Sequence, residues 1–357
     1  MEPLRLGILG AGRGGFAVPV ARYMPRRLAI TAVCDIRTDR ARAMAEQCGA
    51  AWHGGGFAAM LERDDVDAVL IATPDHQHAE QAILALEAGK HVLSEIPMAT
   101  ALGEIDRIIA LSERTGLKYM MGNEVRWLPA LEALKRKAGE GCWGEVFYGE
   151  AEYLHNLREE GWKGLEEDGS VHWRFDPVRP QSTFLGGGPH AFDTLRWLAG
   201  EKRFTRVYAT GSGAYVEGHA EPATAVALLT GESGAAYKVT VSYAMHRPYC
   251  LYFSLYGSEG SFEGGRTDQE QVFYQTRAEE GCAALKPLGV PYWNHPGIEL
   301  EGGHGTSELF MMTDFLDAVR DDRPPAIDAR EAARSIAPAI CAFESIRTGL
   351  PVAVPEY

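Results

Sequence analysis

The stretch that decides the fold reads Leu6-Gly7-Ile8-Leu9-Gly10-Ala11-Gly12-Arg13-Gly14-Gly15. The apolar residues at its start predict a buried strand, and the glycines after them predict a tight turn into a helix. A second apolar run, Leu28 to Cys34, follows and ends in Asp35. A strand, a G-x-G-x-x-G turn, a helix and a second strand closed by an acid, in this order, indicate a dinucleotide-binding βαβ unit.

Each part of this unit has a physical role. Gly10 permits the tight turn, Gly12 lets the backbone approach a pyrophosphate, and Gly15 lets the helix pack close to the strand. The helix N-terminus faces the phosphates, and the Asp35 carboxylate holds the ribose hydroxyls. We therefore expect NAD as cofactor, and the alternative is a structural glycine turn in an ordinary βαβ unit. Pro19 is expected to cost a helical hydrogen bond or to add a kink.

The residues around Asp35 decide the choice of cofactor. The carboxylate would repel the 2′-phosphate of NADP, which favours NAD. Arg37 could pair with that phosphate, so NADP is the alternative. The cofactor-binding residues predicted in this part of the chain are Gly10, Gly12, Arg13, Gly14, Gly15, Asp35, Ile36 and Arg37.

The composition excludes several classes of function. A chain of 357 residues with 46% hydrophobic and 24% charged residues is expected to form two soluble domains. Its net charge of −14 argues against nucleic acid or an anionic membrane as a partner. The six cysteines have no metal or redox spacing, and we expect no metal site. The first strand begins too early to leave room for a signal peptide, so we predict a cytoplasmic protein.

Strands and helices continue to alternate as far as Asn123, which predicts a parallel, doubly wound sheet. Ligands on such sheets bind beyond the carboxyl ends of the strands. The segments that directly follow the predicted strands should therefore lie at one edge with the glycine turn. They add to the predicted cofactor site Thr73, Pro74, His78, Glu95, Ile96 and Asn123.

Beyond residue 123 the pattern changes. After one more helix, alternating apolar and polar residues predict strands over Val146–Tyr153, Arg206–Gly211, Thr224–Thr230, Ala235–Tyr243 and Cys250–Tyr256. This alternation is typical of a mostly antiparallel sheet with one face on helices and one face open. We therefore expect an α/β protein with a cofactor domain at 1–123 and an α+β domain at 124–357.

His190 is the leading candidate for an acid or base. It follows three glycines, which would let a ligand approach the backbone, and imidazole exchanges a proton near neutral pH. The alternative is a histidine that caps or packs at a helix start. Asp193 lies one turn later on the same face, where it could orient His190 or interact with the helix N-terminus.

Tyr153 and His155 alternate on a predicted strand, so both side chains point to one face. Two polar rings on one face suit a sugar pocket and are further catalytic candidates, while a solvated sheet surface fits the same pattern. Trp162 and Trp173 lie in loop-like stretches and could stack on a sugar ring, with core packing as the alternative. His304 lies between glycines and could belong to a substrate loop.

Taken together, these motifs resemble the Gfo/Idh/MocA family, the glucose–fructose oxidoreductase and inositol dehydrogenase group. The resemblance covers nearly the whole chain and rests on the glycine turn, Asp35, Thr73-Pro74 with His78, Glu95-x-Pro97, Asn123 with Arg126, and the run 187–193. It implies a Rossmann domain, a mixed α/β domain, NAD or NADP, and hydride transfer at a carbon of a sugar or cyclitol. It also places Arg126 with the substrate and implies a homodimer or homotetramer formed through the open sheet.

Two positions depart from the family pattern. The family usually has Glu-Lys-Pro, with its lysine beside the nicotinamide and the reacting hydroxyl, where this chain has Ile96; Gly186 replaces an aspartate four residues before His190. The family-109 glycoside hydrolases, a branch of the same family, often show Glu-Val-Pro and cleave glycosides by transient oxidation with retained NAD. The stretches 150–158 and 302–305 are similar to that branch, whereas 189–193 differs from its Thr-His-Gly sequence.

Three functions therefore compete. The main prediction is an NAD-dependent oxidoreductase that acts on a pyranose or cyclitol carbon, with His190 as acid or base. The alternative is an NAD-retaining glycosidase that works by oxidation, elimination, water addition and reduction. The third is a non-catalytic NAD-binding sensor, which the loss of lysine at Ile96 would permit. Net formation of NADH distinguishes the first from the other two.

Overall fold

The computed structural model describes residues 2–157, 172–176, 178, 181–214, 221–264, 271–277, 285–300 and 304–357. The chain divides into two compact units. The first comprises Met1–Trp127 and Trp293–Ala333, and the second comprises Leu128–Tyr292 and Arg334–Tyr357. The predicted domains at 1–123 and 124–357 differ from these units chiefly in the segment 293–333, which belongs to the first unit.

The described residues form strands and helices in both units. The strands are β1 Leu4–Leu9, β2 Leu28–Cys34, β3 Trp52–Gly54, β4 Ala68–Ile71, β5 His91–Glu95, β6 Tyr119–Gly122, β7 Val146–Leu154, β8 Phe204–Ala214, β9 Pro222–Gly231, β10 Ala236–Ser242, β11 Cys250–Gly257, β12 Gly260–Gly264, β13 Val272–Thr276, β14 Lys286–Pro287 and β15 Val352–Ala353. The α-helices are α1 Ala17–Tyr23, α2 Thr38–Cys48, α3 Phe57–Leu61, α4 His78–Glu87, α5 Leu102–Thr115, α6 Pro129–Gly139, α7 Thr183–Gly186, α8 Gly188–Ala199, α9 Thr306–Arg320 and α10 Ala329–Thr348. Short 3-10 helices cover Arg13–Phe16, Asp75–Gln77, Glu124–Trp127 and Trp173–Phe175.

The first unit is built on a six-stranded sheet in the order β3-β2-β1-β4-β5-β6. Every strand pair in this sheet is parallel. The strand order reverses between β1 and β4, which is the switch point at which doubly wound sheets bind dinucleotides. The predicted parallel sheet is confirmed, and the segments after β1, β4, β5 and β6 lie at its carboxyl edge.

The structure of the glycine turn after β1 corrects the role that the sequence motif predicts for Gly15. Gly10 has a φ of +98°, and a Cβ there would overlap the carbonyl group of Ala72. A Cβ at Gly14 would lie 2.6 Å from Cγ2 of Ile8, whereas a Cβ at Gly15 would have its nearest neighbour at 3.4 Å. Gly14 therefore permits the close approach to the strand that the motif assigns to Gly15.

Pro19 causes no loss of helical hydrogen bonding. It is the third residue of α1, which begins at Ala17 after the 3-10 turn Arg13–Phe16. The first four N–H groups of a helix have no acceptor within the helix, so a proline there removes no bond. The expected loss of a hydrogen bond at Pro19 is therefore wrong, because the 3-10 turn places the helix start two residues before the proline.

An apolar cluster fills the core of the first unit. It joins side chains of β1 and α1, such as Leu6 and Val18, to Phe315 of α9, and all three are almost fully buried. Burying one large apolar side chain stabilises a fold by about 1.5–3 kcal/mol. Because α9 supplies part of this core, the segment 293–333 belongs to the first unit despite its distance along the chain.

The second unit is built on a nine-stranded sheet in the order β14-β13-β12-β11-β7-β10-β9-β8-β15. Strands β7 and β10 are parallel, and the other described pairs are antiparallel. Helix α8 packs on the sheet face that includes Gly149, where an added Cβ would lie 3.1 Å from Cδ1 of Leu195. The predicted mostly antiparallel sheet is confirmed.

A row of side chains crosses the opposite face of this sheet. Tyr208 of β8 is paired with Leu228 of β9, and these side chains are 43% and 53% exposed. Leu228 is paired in turn with Lys238 of β10, whose Nζ lies 3.0 Å from Oε2 of Glu150 on β7. This face therefore presents large apolar groups beside an ion pair.

None of the helices among the described residues combines the length and the apolar character needed to cross a membrane. Over the same residues, no group of three or more His, Cys, Asp or Glu side chains is arranged to hold a metal ion.

Candidate functional site

The glycine turn itself holds the Asp35 carboxylate. Its Oδ2 accepts a hydrogen bond from the N–H of Ala11 at 2.7 Å, and its Oδ1 accepts one from the N–H of Arg37 at 2.8 Å. A carboxylate oxygen has more than one acceptor position, so the group can still accept bonds from ribose hydroxyls. Ile36, between these residues, is 93% exposed and takes no part in the core.

The residues present fit a bound dinucleotide. A Cβ at Gly12 would have no described atom within 4 Å, so the backbone on that side is open to a phosphate oxygen. Gly10 and Gly14, by contrast, have neighbours at overlap distance, and this contrast marks Gly12 as the position of ligand approach. With Asp35 held beside the turn, Gly12 and its neighbours would bind the pyrophosphate and Asp35 the ribose.

His78 connects two loops at the same sheet edge. Its Nε2 lies 2.7 Å from the carbonyl oxygen of Thr73, and its Nδ1 lies 2.9 Å from that of Pro97. A neutral ring donates to one of these carbonyls, and a protonated ring donates to both. His78 therefore fixes the loops after β4 and β5, among them Pro74, and its direct contact with the cofactor stays a prediction.

Ile96 follows β5 and precedes Pro97 through a cis peptide bond. Its side chain is 9% exposed, so it lies largely within the first unit. An isoleucine can neither donate nor accept a proton. Any proton transfer therefore falls to other residues of the chain.

Arg13 is surrounded by three glutamates from separate elements. Its Nε lies 3.0 Å from Oε1 of Glu95, and its Nη1 lies 2.5 Å from Oε1 of Glu308. Its Nη2 lies 3.9 Å from Oε1 of Glu124. His304 completes the group, because its Nδ1 lies 2.7 Å from the same Glu124 oxygen and 3.1 Å from Nη2 of Arg13. We call these five residues the Arg13 cluster.

The Arg13 cluster brings together four parts of the first unit. Arg13 belongs to the glycine turn, Glu95 ends β5, and Glu124 begins the 3-10 helix after β6. Glu308 lies in the first turn of α9, and His304 lies just before that helix. The three glutamates are 7%, 3% and 0% exposed in chain order, so their charges are removed from water.

Burial and mutual repulsion change the protonation of this cluster. Burial raises the pKa of Glu95 to about 7; Arg13 opposes the rise, and Glu124 and Glu308 add to it. The Glu124 carboxylate raises the pKa of His304 to about 10 against the effect of burial, so the imidazole is protonated at neutral pH. Burial lowers the pKa of Arg13, but the carboxylates outweigh it and hold that pKa above its ordinary value.

Asn123 and Arg126 follow β6 and are both buried. The N–H of Asn123 donates to the carbonyl oxygen of Met121. Nη2 of Arg126 donates to Oε1 of Glu331 at 2.8 Å, at the start of α10. The Arg126 guanidinium is thus part of an ion pair within the first unit, and its role in substrate binding stays a prediction.

Tyr153 is the centre of a ring cluster in the second unit. Its hydroxyl lies 3.0 Å from Nδ1 of His155, and its ring centroid lies 5.7 Å from that of His190. Tyr243 and Tyr249 meet the Tyr153 ring edge-on, with centroids at 6.3 and 5.7 Å. We call these five residues the Tyr153 cluster. The structure thus brings together three catalytic candidates that come from two separate sequence motifs.

The glycines before His190 make room for tyrosine rings. A Cβ at Gly187 would overlap the ring of Tyr153, and a Cβ at Gly186 would overlap the hydroxyl of Tyr243. The sequence predicts that these glycines let a ligand approach the backbone. In the structure, tyrosine side chains fill the space beside both glycines, so that prediction is corrected. The small residues instead place Tyr153 against the start of α8.

Asp193 is fully buried on α8, one turn after His190. Its Oδ1 accepts a hydrogen bond from Oγ of Ser335 at 2.5 Å and lies 3.9 Å from Nη2 of Arg196. These contacts connect α8 to α10. The orientation of His190 by Asp193 stays a prediction.

Only one of the two tryptophans predicted to stack on a sugar ring lies among the described residues. Trp162 lies outside the described residues. Trp173 begins a 3-10 helix, and the Arg174 guanidinium lies 4.3 Å from the centre of its ring. Its contact with a sugar stays a prediction.

Sequence reasoning missed four members of the two clusters. Glu124 carried a usable signal, because it directly follows Asn123 at the predicted sheet edge. Glu308 carried none, because nothing in the sequence places the start of α9 beside the glycine turn. Tyr243 ends one predicted strand and Tyr249 directly precedes the next, but only the fold shows that they face Tyr153.

Two family models match the chain. The model for the oxidoreductase family with an NAD-binding Rossmann fold, Gfo/Idh/MocA, matches residues 4–123. The Gfo/Idh/MocA C-terminal domain model matches residues 131–263. The two matches fall one in each unit and together cover most of the chain.

Several curated proteins are similar to all or most of this chain. A glycosyl hydrolase family 109 protein of Saccharopolyspora erythraea is 28% identical and aligns with 100% of this chain and 83% of its own. An alpha-N-acetylgalactosaminidase of Shewanella oneidensis is 26% identical and aligns with 90% of this chain and 77% of its own.

Solved structures share the fold. An oxidoreductase domain protein from Kribbella flavida has a TM-score of 0.87 at 24% identity, with 100% of both chains covered. Levoglucosan dehydrogenase in complex with NADH and L-sorbose has a TM-score of 0.86 at 22% identity, again with 100% of both chains covered. With the two family matches and the dinucleotide site at the switch point, the chain belongs to the Gfo/Idh/MocA family of NAD-binding oxidoreductases.

Proposed function

We propose that this protein transfers hydride between NAD and a hydroxyl-bearing carbon of a sugar, sugar derivative or cyclitol. The Tyr153 cluster carries the proposal, because it offers a tyrosine hydroxyl and two imidazoles beside one another in an NAD-binding oxidoreductase. A relative named as an alpha-N-acetylgalactosaminidase and a structural neighbour named as a levoglucosan dehydrogenase support a sugar as the substrate.

The chain's own residues would handle the proton of the reaction. Oxidation of a secondary alcohol breaks a C–H bond and an O–H bond. The bound NAD supplies the hydride acceptor at its nicotinamide ring. The hydroxyl proton leaves to a base, and we assign this role to His190, whose ring packs beside Tyr153. General acid–base groups typically contribute about 10²–10⁴ to the rate.

The hydrogen bond between Tyr153 and His155 suggests how the substrate is oriented. A tyrosine hydroxyl that interacts with an imidazole at 3.0 Å has its remaining donor or acceptor positions fixed in direction. The flanking rings of Tyr243 and Tyr249 hold Tyr153 in place. We therefore assign Tyr153 and His155 to substrate binding and proton transfer, after His190 in importance.

Ile96 favours a second candidate function. Without the lysine usual at this position, a net dehydrogenase lacks one of its proton-handling groups. A glycosidase that oxidises the sugar transiently, eliminates the aglycone, adds water and reduces the product leaves NAD unchanged overall. The similarity to a glycosyl hydrolase family 109 protein, which spans 100% of this chain and 83% of the relative, supports this candidate. Both candidates begin with the same hydride transfer.

One experiment separates the two functions. The purified protein is incubated with NAD and a panel of free sugars, cyclitols and nitrophenyl glycosides, while NADH and nitrophenol are recorded together. Substrate-dependent NADH without nitrophenol supports the oxidoreductase. Nitrophenol without net NADH supports the glycosidase. Tight NAD binding with neither product for any substrate contradicts both and supports a non-catalytic NAD-binding protein.

We also infer that the protein forms a homodimer or homotetramer through the outer face of the second sheet. Tyr208 and Leu228 expose large apolar surface there, and exposed apolar patches are commonly buried by partners. Sedimentation at micromolar concentration should give a multiple of the 39.0 kDa chain mass. A monomer at that concentration contradicts the proposal, and L228K should shift an oligomer towards monomer.

A further inference from the structure

A cavity of about 590 Å³ lies in the first unit, between α1 and the segment 294–300. The sites at which proteins bind small molecules measure about 300–1,000 Å³, so this cavity has the size of a ligand site. Among the described residues, its lining includes none of those predicted to bind the cofactor or the substrate. The proposed function therefore does not account for it.

Helix α1 presents two ring side chains to the cavity. Pro19 and Tyr23 are four residues apart on this helix, so they lie on the same face. Tyr23 is 52% exposed, and part of its surface is therefore accessible to a ligand. From the segment 294–300, Ile298 and Leu300 line the cavity and also pack against the core of the unit. The cavity thus has an apolar part that is anchored to the core.

A cation and an anion line the same cavity without pairing with each other. Nη2 of Arg22 donates to the carbonyl oxygen of Gln47 at 2.9 Å, and over the described residues this guanidinium has no carboxylate partner. Glu299 has neither an ion pair nor a hydrogen bond to any described residue. A net charge on a ligand would gain from one of these groups and lose to the other. A neutral ligand that carries both hydrogen-bond donors and acceptors can use both.

Asn294 adds a donor of fixed direction to the lining. Its Oδ1 accepts a hydrogen bond from the N–H of Thr306, at the start of α9, at 3.2 Å. A Cβ at Gly305 would overlap this oxygen, so glycine at that position leaves room for the amide. Because the helix holds Oδ1, the Nδ2 group of Asn294 is the one that can donate to a ligand.

We propose that this cavity is a carbohydrate-binding site, in addition to the candidate active site, and that it takes a neutral mono- or disaccharide. A pyranose ring combines an apolar C–H face with a rim of hydroxyl groups that both donate and accept hydrogen bonds. Pro19 and Tyr23 offer ring surface to that face. Arg22, Asn294 and Glu299 offer donors and acceptors to the hydroxyl groups. The proposal concerns binding alone, so it is independent of the proposed hydride transfer.

Methyl NMR spectroscopy tests the site without turnover. The δ1-methyl resonance of Ile298, assigned with I298V, reports on the cavity while methyl glycosides and disaccharides are added to the protein. It should shift and saturate with at least one sugar. Y23A removes the aromatic ring and E299Q removes the carboxylate charge, and each should raise the Kd of that sugar by about three- to tenfold. E46Q, at an exposed glutamate on α2, is the matched control and should leave the Kd unchanged.

Three results would overturn the proposal. The first is an Ile298 resonance that no sugar shifts, and the second is one that a zwitterionic amino acid such as leucine shifts and no sugar does. The third is a sugar Kd that Y23A and E299Q leave at the parent value; if Y23A does not fold, E299Q decides alone, because it changes an exposed side chain. A protein that binds sugar here and turns over none supports the site and contradicts the proposed reaction, so the two failures are distinguishable.

Discussion

Arg13 and Glu95 form an ion pair between the glycine turn and the end of β5, with Nε and Oε1 3.0 Å apart. The glutamate is 7% exposed, so its charge depends on this partner. The pair connects the turn after the first strand to the end of β5, directly before Ile96. Arg13, in the middle of a phosphate-binding motif, thus forms ion pairs with buried carboxylates of its own unit.

Replacing Arg13 should destabilise the first unit. R13A leaves three buried carboxyl groups facing one imidazolium, and breaking a buried ion pair typically costs about 3–5 kcal/mol. Because a third of the Arg13 side chain is exposed, we expect about 2–4 kcal/mol in urea unfolding. R26A, at an exposed arginine after α1, is the control and should cost less than about 0.5 kcal/mol. Equal effects of the two substitutions would contradict the importance of the cluster.

Stability should fall between about pH 4.5 and pH 7 because of Glu95. Its pKa in the folded protein is raised from 4.5 to about 7, so in this window the folded chain binds a proton that the unfolded chain does not. Its contribution is therefore fully present below pH 4.5 and is lost as the pH rises through 7, with a slope of at most ~1.4 kcal/mol per pH unit. The difference in unfolding free energy between E95Q and the parent should change with pH in this window and stay constant above it. A constant difference from pH 4.5 to pH 8 would overturn the assignment.

Loss of the His190 imidazole should abolish most activity and leave cofactor binding intact. The expected decrease in kcat/KM for H190A is about 10²–10⁴, the typical contribution of a general acid or base. H155A should cost less or act mainly on KM. NAD affinity is measured in parallel, and H53A, at an exposed histidine on β3, is the matched control. If H190A turns over every active substrate at the parent rate, Tyr153 or His155 becomes the next base to test.

The Asp35 carboxylate should set the preference for NAD over NADP. Its negative charge opposes a 2′-phosphate, and its oxygens hold the turn through Ala11 and Arg37. D35A should bind NAD more weakly than the parent. It should also reduce the ratio of the NAD affinity to the NADP affinity by about tenfold or more. D35N keeps a hydrogen-bond acceptor but loses the charge. It should therefore reduce the same affinity ratio with a smaller loss of NAD affinity than D35A. Calorimetry that shows tighter NADP binding by the parent would refute this preference.

The sequence by itself determined the regular elements of the dinucleotide-binding unit and predicted that the first sheet is parallel and doubly wound. The structure forms β2 at Leu28–Cys34, with the bounds of the apolar run in the sequence. These patterns are readable because each element buries one face, and the spacing of its apolar residues follows from local backbone geometry. The glycine turn and Asp35 were predictable for the same reason, since they lie close together along the chain.

Short elements and the ends of the second sheet were less predictable. Strand β3 covers Trp52–Gly54 and β14 covers Lys286–Pro287, and neither is long enough to show a period. The motif assigns the close helix–strand contact to Gly15, because a motif specifies only the spacing of its glycines. The 3-10 turn at Arg13–Phe16 shifts the close approach to Gly14.

Only the tertiary structure decided the composition of both side-chain clusters. Arg13 and Glu308 are separated by 295 residues and meet because α9 packs into the same apolar core as β1. Tyr153 meets Tyr243 because strands β7 and β10 pair in parallel, and Gly186 and Gly187 leave space for the two rings. Local periodicity shows which face of an element is buried, but it does not show which distant element covers that face. The partners of Arg13 and Glu95 therefore depend on the packing of the first unit, and those of His190 on the packing of the second.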